Sequence, residues 1–290
     1  MKFSARIRAY YQLTKPGVLY GNVITAGAGF LFASGQTINW WLFVATIVGT
    51  TLVIASACVL NNFLDQDIDQ VMSRTKKRPL IAGEVSGREA VIFAILLGVS
   101  GVVVLYLWVS WLVVALGLTG YFVYVVLYGM LSKRLSIHGT LVGSVSGAIP
   151  ILAGYVAVSN RIDLGAMLVF AILFLWQMPE FYSIAVYRRG EYKAAKVPVM
   201  SVIKGIQSTK RQVLVYIILF TVVALLLAFT GYAGYTYLVI MMSLCVYWIR
   251  LGIISLKTNN DQLWSRRVFR HSLIILLAFS MLISVEAWLP

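Results

Sequence analysis

Acidic side chains are scarce in this chain of 290 residues. Ten Asp and Glu stand against 24 Lys and Arg, and charged residues of all kinds make up only 12% of the sequence. An ordinary soluble domain carries about 25%. With 60% hydrophobic residues, that shortage excludes a water-soluble globule and points to a core built against lipid. Cysteine is nearly missing. Cys58 and Cys245 both fall in apolar runs and read as small buried hydrophobes, which excludes a disulfide framework or a thiolate metal site. The opening Met1–Arg8 stretch is basic and polar. It lacks the short apolar core and small-residue cleavage site of a removable signal peptide, so the first apolar segment is expected to remain as a membrane helix. In a soluble protein the net charge of +14 would suggest nucleic acid; here its distribution along the chain explains it better, and no nucleic-acid partner is expected.

Long stretches carry no charge at all. Residues 16–64 and 90–132 each have room for two membrane helices of about 20 residues, with turns at Gly35-Gln36 and near Ser110. Residues 135–160 supply one helix, and residues 164–187 another, interrupted at Pro179-Glu180. Residues 212–249 supply two short ones around Gly231–Gly234, and residues 271–290 the last. Nine spans place every one of the 24 basic residues except Arg161 on one side. The positive-inside rule makes that side cytoplasmic, with the N-terminus inside. Eight or ten spans would scatter the charges. The expectation is an all-α integral membrane protein, nine transmembrane helices around a central cavity, forming one polytopic domain over residues 1–290. The connections after spans 2 and 6 are the long ones, and long loops on one face of a compact protein are commonly functional. Trp40, Trp41, Trp108 and Trp111 read as an outer interfacial belt.

Three of the ten acids fall within Asn61–Asp69, straight after an apolar run. A carboxylate inside a bilayer costs about 2.5–3.5 kcal/mol on insertion scales, so these need water, a cation or basic partners. If the second helix continues through residue 69, Asn61, Asp65 and Asp69 follow one another at intervals of four and share a face, while Asp67 points elsewhere. An amide and two carboxylates in line are a hard-oxygen set suited to Mg²⁺ that also binds phosphate. Such an ion assists departure of diphosphate. Arg74 and Arg78, in the following Arg74-Thr75-Lys76-Lys77-Arg78-Pro79-Leu80, can fork onto phosphate oxygens. The plainer alternative is a solvated acidic cap beside a charge-balanced loop, which is the favoured reading for Asp67. Lys76 and Lys77 read equally well as membrane-surface charges.

The pattern Asn61-x-x-x-Asp65-x-x-x-Asp69, then Arg74-Thr75-x-x-Arg78-Pro79-Leu80, resembles the first aspartate-rich motif of the intramembrane aromatic prenyltransferase superfamily. Within it the chain is most similar to the branch that farnesylates heme. Leu13–Gly17, Gly139–Pro150, Leu175–Pro179 and Glu191–Val199 resemble further motifs in the same order, so the resemblance covers nearly the whole chain. It implies a Mg²⁺-dependent enzyme of the cell inner membrane with its site facing the cytoplasm. Its substrates would be farnesyl diphosphate and heme B, the product heme O, and its partners the lipid bilayer and terminal-oxidase or heme-handling proteins. Asn61, Asp65 and Asp69 would hold the metal. Tyr128 and Lys133 resemble the diphosphate-side motif, with simple anchoring at the interface as the alternative.

Glu180 stands where that family usually has histidine. It is a candidate base, or else a tolerated polar residue on a cavity wall. Glu191 is a single acid where relatives that act on quinone precursors carry two or more. The basic loop around it suits an anionic acceptor such as heme with its propionates, or equally a surface of anionic lipid. His138 and His271 read as structural, with ligation of the heme iron as the alternative. Two rival functions remain at this level: prenyl transfer to a quinone-type acceptor, and cation transport through intramembrane acids.

Overall fold

The computed structural model describes residues 3–289, and all of its regular elements are helical. A short α1 (Phe3–Leu13) precedes the first span, α2 (Pro16–Ser34), which Pro16 opens. Proline suits a helix start because its missing N–H is not needed there. Gly35, at φ 58°, ends α2, and α3 (Trp40–Leu64) runs back, capped by Asn39, whose side chain accepts from Leu42 N. After a break at Asp65 comes the six-residue α4 (Gln66–Val71). The next span, α5 (Gly87–Trp108), starts with a reciprocal cap between Ser86 and Glu89. Ser110 caps α6 (Trp111–Phe122), which passes into a π-helical segment, Val123–Ser132, and a last turn, α7 (Lys133–Leu135).

The second half repeats the alternation. Spans α8 (Gly139–Ser159) and α9 (Leu164–Tyr187) are followed by two short loop helices, α10 (Arg189–Ala194) and α11 (Met200–Ile203). Then come α12 (Gly205–Phe229), α13 (Tyr235–Ser255) and α14 (Asp261–Val285), which closes on a 3-10 turn, Glu286–Trp288. Among the described residues nine helices are long and apolar enough to cross a membrane. The turns at Gly35, Ser110 and Gly231–Gly234 fall where the sequence puts them.

Four details differ from the sequence expectation. Span α9 is not interrupted: Pro179 and Glu180 sit inside a continuous helix. In lipid the backbone has no outside partner, so a helix persists through a proline. Spans α12 and α14 begin in charged sequence, seven and ten residues before the expected 212 and 271. The charge there is absorbed: buried Lys210 pairs with Asp261 at 2.5 Å, and Asn260 caps α14 by accepting from Leu263 N. The helix through the acidic stretch breaks at Asp65. The π-helical stretch leaves no mark in the hydrophobic pattern.

Pairing of α3 with α5 forms one side of the bundle, and the main apolar core runs through α8, where it crosses α2 and meets α9. At Gly154 a Cβ would come within 1.9 Å of the Ala26 carbonyl oxygen, so the first crossing depends on the missing side chain. Ile68 of α4 and Met72 just after it pack with Val197, and Tyr192 and Val199 pack against the group, so the two long loops meet at one end of the bundle.

Candidate active site

Asn61, Asp65 and Asp69 are all buried, with relative exposures of 2%, 2% and 4%. Asp65 leaves helical geometry (φ −91°, ψ 8°), yet its N–H still donates to Asn61 O at 3.0 Å, and Asp69 N to Asp65 O at 2.8 Å. The four-residue rhythm therefore survives the break, and the three side chains keep a common face. Each has a basic partner. Lys133 Nζ lies 2.5 Å from Asp65 Oδ2. Arg78 Nη1 pairs with Asp69 Oδ2, and the Thr75 hydroxyl donates to Asp69 O at 3.0 Å, closing the turn that carries Arg78 inward. Lys15 donates to Asn61 Oδ1.

Lys15 is a site residue that sequence reasoning missed. It was counted only among the charges of the cytoplasmic end, although it precedes Pro16 in a stretch already singled out. Its left-handed backbone (φ 53°) at the start of α2 accompanies the turn of its side chain toward α3. Burial and nearby Arg78 lower its pKa to about 8, against the pull of Asp65. Two carboxylates thus face three cations. Arg74, exposed, forms no ion pair or side-chain hydrogen bond among the described residues. Burial raises the hydroxyl pKa of Tyr192 in the second long loop, and Arg74 is close enough to oppose that rise. The surplus of positive charge around a buried acidic pair is what a phosphate group needs.

Tyr128 stacks on Tyr124, with centroids 5.8 Å apart, and Lys133 lies 5.9 Å from the Tyr128 ring centroid. The π-helical segment carries both tyrosines and leads directly into Lys133, and π turns inside helices often mark functional sites. Asp67 is set apart, as its spacing predicts. Its side chain is 64% exposed and pairs with Arg134, which holds its pKa down to about 2.

Glu180 and Glu191 do not join this group by any hydrogen bond or ion pair. Glu191 pairs with Arg188 at 2.8 Å. Glu180 is buried and has no such partner among the described residues. Trp176 Nε1 donates to Ser272 O of α14, and Gln177 Nε2 to Ser144 O of α8. Helical geometry directs Glu180 between those two neighbours, toward the side where α2 packs on both. His271 contacts Leu244 O at 2.9 Å and packs edge-on against Tyr247 and Trp248, which is the structural role expected of it.

The donor set fits a divalent cation with a diphosphate. Asp65 Oδ1 and Asn61 Nδ2 are buried without hydrogen-bond partners, an open acceptor for a cation beside an open donor for a phosphate oxygen. Asn61 Oδ1, the atom a cation would need, is taken by Lys15, so Lys15 must turn away when a metal binds there. The protein atoms alone supply two carboxylates and one amide, and no cluster of three or more His, Cys, Asp or Glu occurs among the described residues. The remaining ligands would come from water and phosphate.

Among the described residues the chain is an all-helical bundle with nine helices able to span a membrane, and its buried aspartates sit among lysines and arginines as the membrane-embedded enzymes of one family would require. The chain belongs to the UbiA prenyltransferase family, which matches residues 22–274. It is 43% identical over 284 residues to a protein of Photorhabdus laumondii named protoheme IX farnesyltransferase, covering 98% of this chain and 97% of that one. It is 44% identical over 283 residues to a protein of the same name from Citrobacter koseri, covering 98% and 96%. Among solved structures it resembles a digeranylgeranylglyceryl phosphate synthase (TM-score 0.81, 18% identity, 98% of this chain and 99% of that one). It also resembles a UbiA homolog from Archaeoglobus fulgidus bound to DMAPP and Mg²⁺ (TM-score 0.70, 14% identity, 95% and 99%). These two likenesses concern the fold.

Proposed function

We propose that this chain transfers the farnesyl group of farnesyl diphosphate to a vinyl group of heme B, giving heme O. Two things support the reading. Relatives sharing 43% identity over 98% of the chain are named for protoheme IX and the farnesyl group. The observation in the fold that carries the diphosphate half is the buried Asp65–Asp69 pair encircled by Lys15, Arg78 and Lys133.

In this reading Asn61, Asp65 and Asp69 would hold Mg²⁺, which when bound would supply Lewis-acid stabilisation of the departing diphosphate. Lys133, Arg78 and Lys15 move from their protein partners to phosphate oxygens, joined by Arg74. Tyr128 bounds the same pocket. The allylic C–O bond breaks, diphosphate leaves with the bonding pair, and the farnesyl cation is sheltered from water. The heme vinyl carbon forms the new C–C bond. Water then adds to the carbon beside the ring, and its proton passes to the Glu180 carboxylate. Arg188, paired with Glu191, belongs to the basic loop that suits the propionates of the acceptor.

A quinone-type acceptor is the second reading. The single acid in the second long loop counts against it. The acids of the first motif cluster at one end of the bundle among bases, whereas a cation path would need them near mid-membrane in several helices.

Membranes containing the protein, incubated with heme B, farnesyl diphosphate and Mg²⁺, should yield heme O by mass analysis of extracted hemes. A farnesylated phenol made from supplied quinone precursors, with no heme O, would overturn the acceptor. We also infer a multi-pass inner-membrane location with N-terminus and site toward the cytoplasm, from the charge asymmetry. Cysteines placed at Lys77 and Arg161 should react with an impermeant thiol reagent in intact cells only at 161. Labelling at 77 instead would reverse the orientation.

A further inference from the structure

Arg134 and Asp67 both stand outside the residues assigned to metal and diphosphate. Their contacts are among the best formed in the region. Arg134 Nη1 donates to Asp67 Oδ2 at 2.6 Å, and Nη2 to Asp67 Oδ1 at 2.8 Å, a two-pronged pairing. Nη2 also donates to the Leu64 main-chain oxygen at 2.6 Å and stands 4.0 Å from Asp65 Oδ1. A planar guanidinium can make this set of bonds together; an ammonium on a flexible stem cannot reproduce the fork.

Leu64 is the last residue of α3. The carbonyls at a helix end lose their partners along the helix and need others. Arg134 takes the Leu64 carbonyl, and by gripping Asp67 it also holds the first turn of α4. One side chain therefore spans the break, with Asp65 between its two points of attachment. Asp69 lies beyond the break, in α4. The separation of the Asp65 and Asp69 carboxylates is set by how α4 is seated on α3. Asp67 itself points out of the site, so its charge serves the seating and not the ligand.

We propose that Arg134, acting through Asp67 and the Leu64 carbonyl, is a positioning residue that fixes the spacing of the Asp65 and Asp69 carboxylates for joint action on metal and diphosphate. This rests on the reading of those two carboxylates given under the proposed function.

The test uses the full-length protein in detergent, with Arg134→Gln, Arg134→Lys, Asp67→Asn and the Arg134→Gln/Asp67→Asn double variant. Two quantities are read: the Mg²⁺ concentration for half-maximal turnover, and the rise in Tm produced by Mg²⁺ with inorganic pyrophosphate, which needs no turnover. Loss of an outer partner of a metal ligand typically weakens metal binding about 10–100-fold. Arg134→Gln and Asp67→Asn should each raise the Mg²⁺ requirement about tenfold and shrink the Tm rise. The double variant should be no worse than either single one, and Arg134→Lys should recover little. An unchanged Mg²⁺ requirement in Asp67→Asn, an exposed and nearly isosteric change that leaves folding intact, would overturn the proposal. So would losses that add in the double variant. Asp65→Asn separates the two readings. If it keeps full turnover, the carboxylate reading falls. If it is inactive while Asp67→Asn behaves as wild type, only the positioning role falls.

Discussion

Lys133 and Asp65 form a close ion pair inside the bundle: 2.5 Å between Nζ and Oδ2, with side chains 16% and 2% exposed. Breaking a buried pair by removing one member costs about 3–5 kcal/mol, because the other charge is left without a partner. Lys133→Met should therefore lower the Tm of the purified protein. Mg²⁺ with inorganic pyrophosphate should raise it again by more than in wild type, since a cation replaces the lost ammonium beside Asp65. Thermal unfolding with and without the two additives checks this; equal shifts in both proteins would argue against a metal at Asp65.

Asp65→Asn keeps the shape of the side chain and removes its charge. Turnover to heme O should fall by about 100-fold or more, the scale seen when one preorganised charge is removed from a reacting centre. Heme extraction after a timed incubation measures it. Full turnover would remove the metal role.

Glu180→Gln should separate the end of the reaction from its beginning. Loss of a general base typically costs about 10²–10⁴-fold. Heme O formation should drop by that order while the KM for farnesyl diphosphate stays near wild type, because the diphosphate cluster is untouched. A raised KM with kcat preserved would place Glu180 in substrate binding.

Two glycines on α8 differ in what opposes them. At Gly154 an added Cβ meets the Ala26 carbonyl oxygen at 1.9 Å, which is backbone; at Gly147 it meets Gln177 Oε1 at 2.0 Å, the end of a side chain. Overpacking costs about 1–3 kcal/mol where neighbours can shift. Gly147→Ala should fall in that range, and Gly154→Ala above it. Comparing their Tm values with wild type tests the order.

The spans were legible because charge-free runs and turn residues are strong signals in lipid: Gly35, Ser110 and Gly231–Gly234 all stand at helix ends. The common face of Asn61, Asp65 and Asp69 was legible from spacing alone. Helix limits in charged sequence were not, because a pair such as Lys210–Asp261 neutralises what a charge count treats as an end. Pro179 was taken for a break, yet its neighbours leave the backbone no alternative to a helix. The break at Asp65 is bridged by Arg134, 69 positions later, and no local pattern announces it. Lys15 reaches Asn61 across a gap of 46 residues, a contact set by how α2 and α3 pack.

The π-helical stretch Val123–Ser132 adds a last consequence. An α-helix turns about 100° per residue. Removing one residue from this stretch while its wide turns persist would carry everything after it around the axis by a little less than that. Lys133 and Arg134 would leave Asp65 and Asp67 with no side chain altered. At this point the chain's chemistry is written in its length: a deletion at an uncharged position would act like a mutation of two charged residues at once.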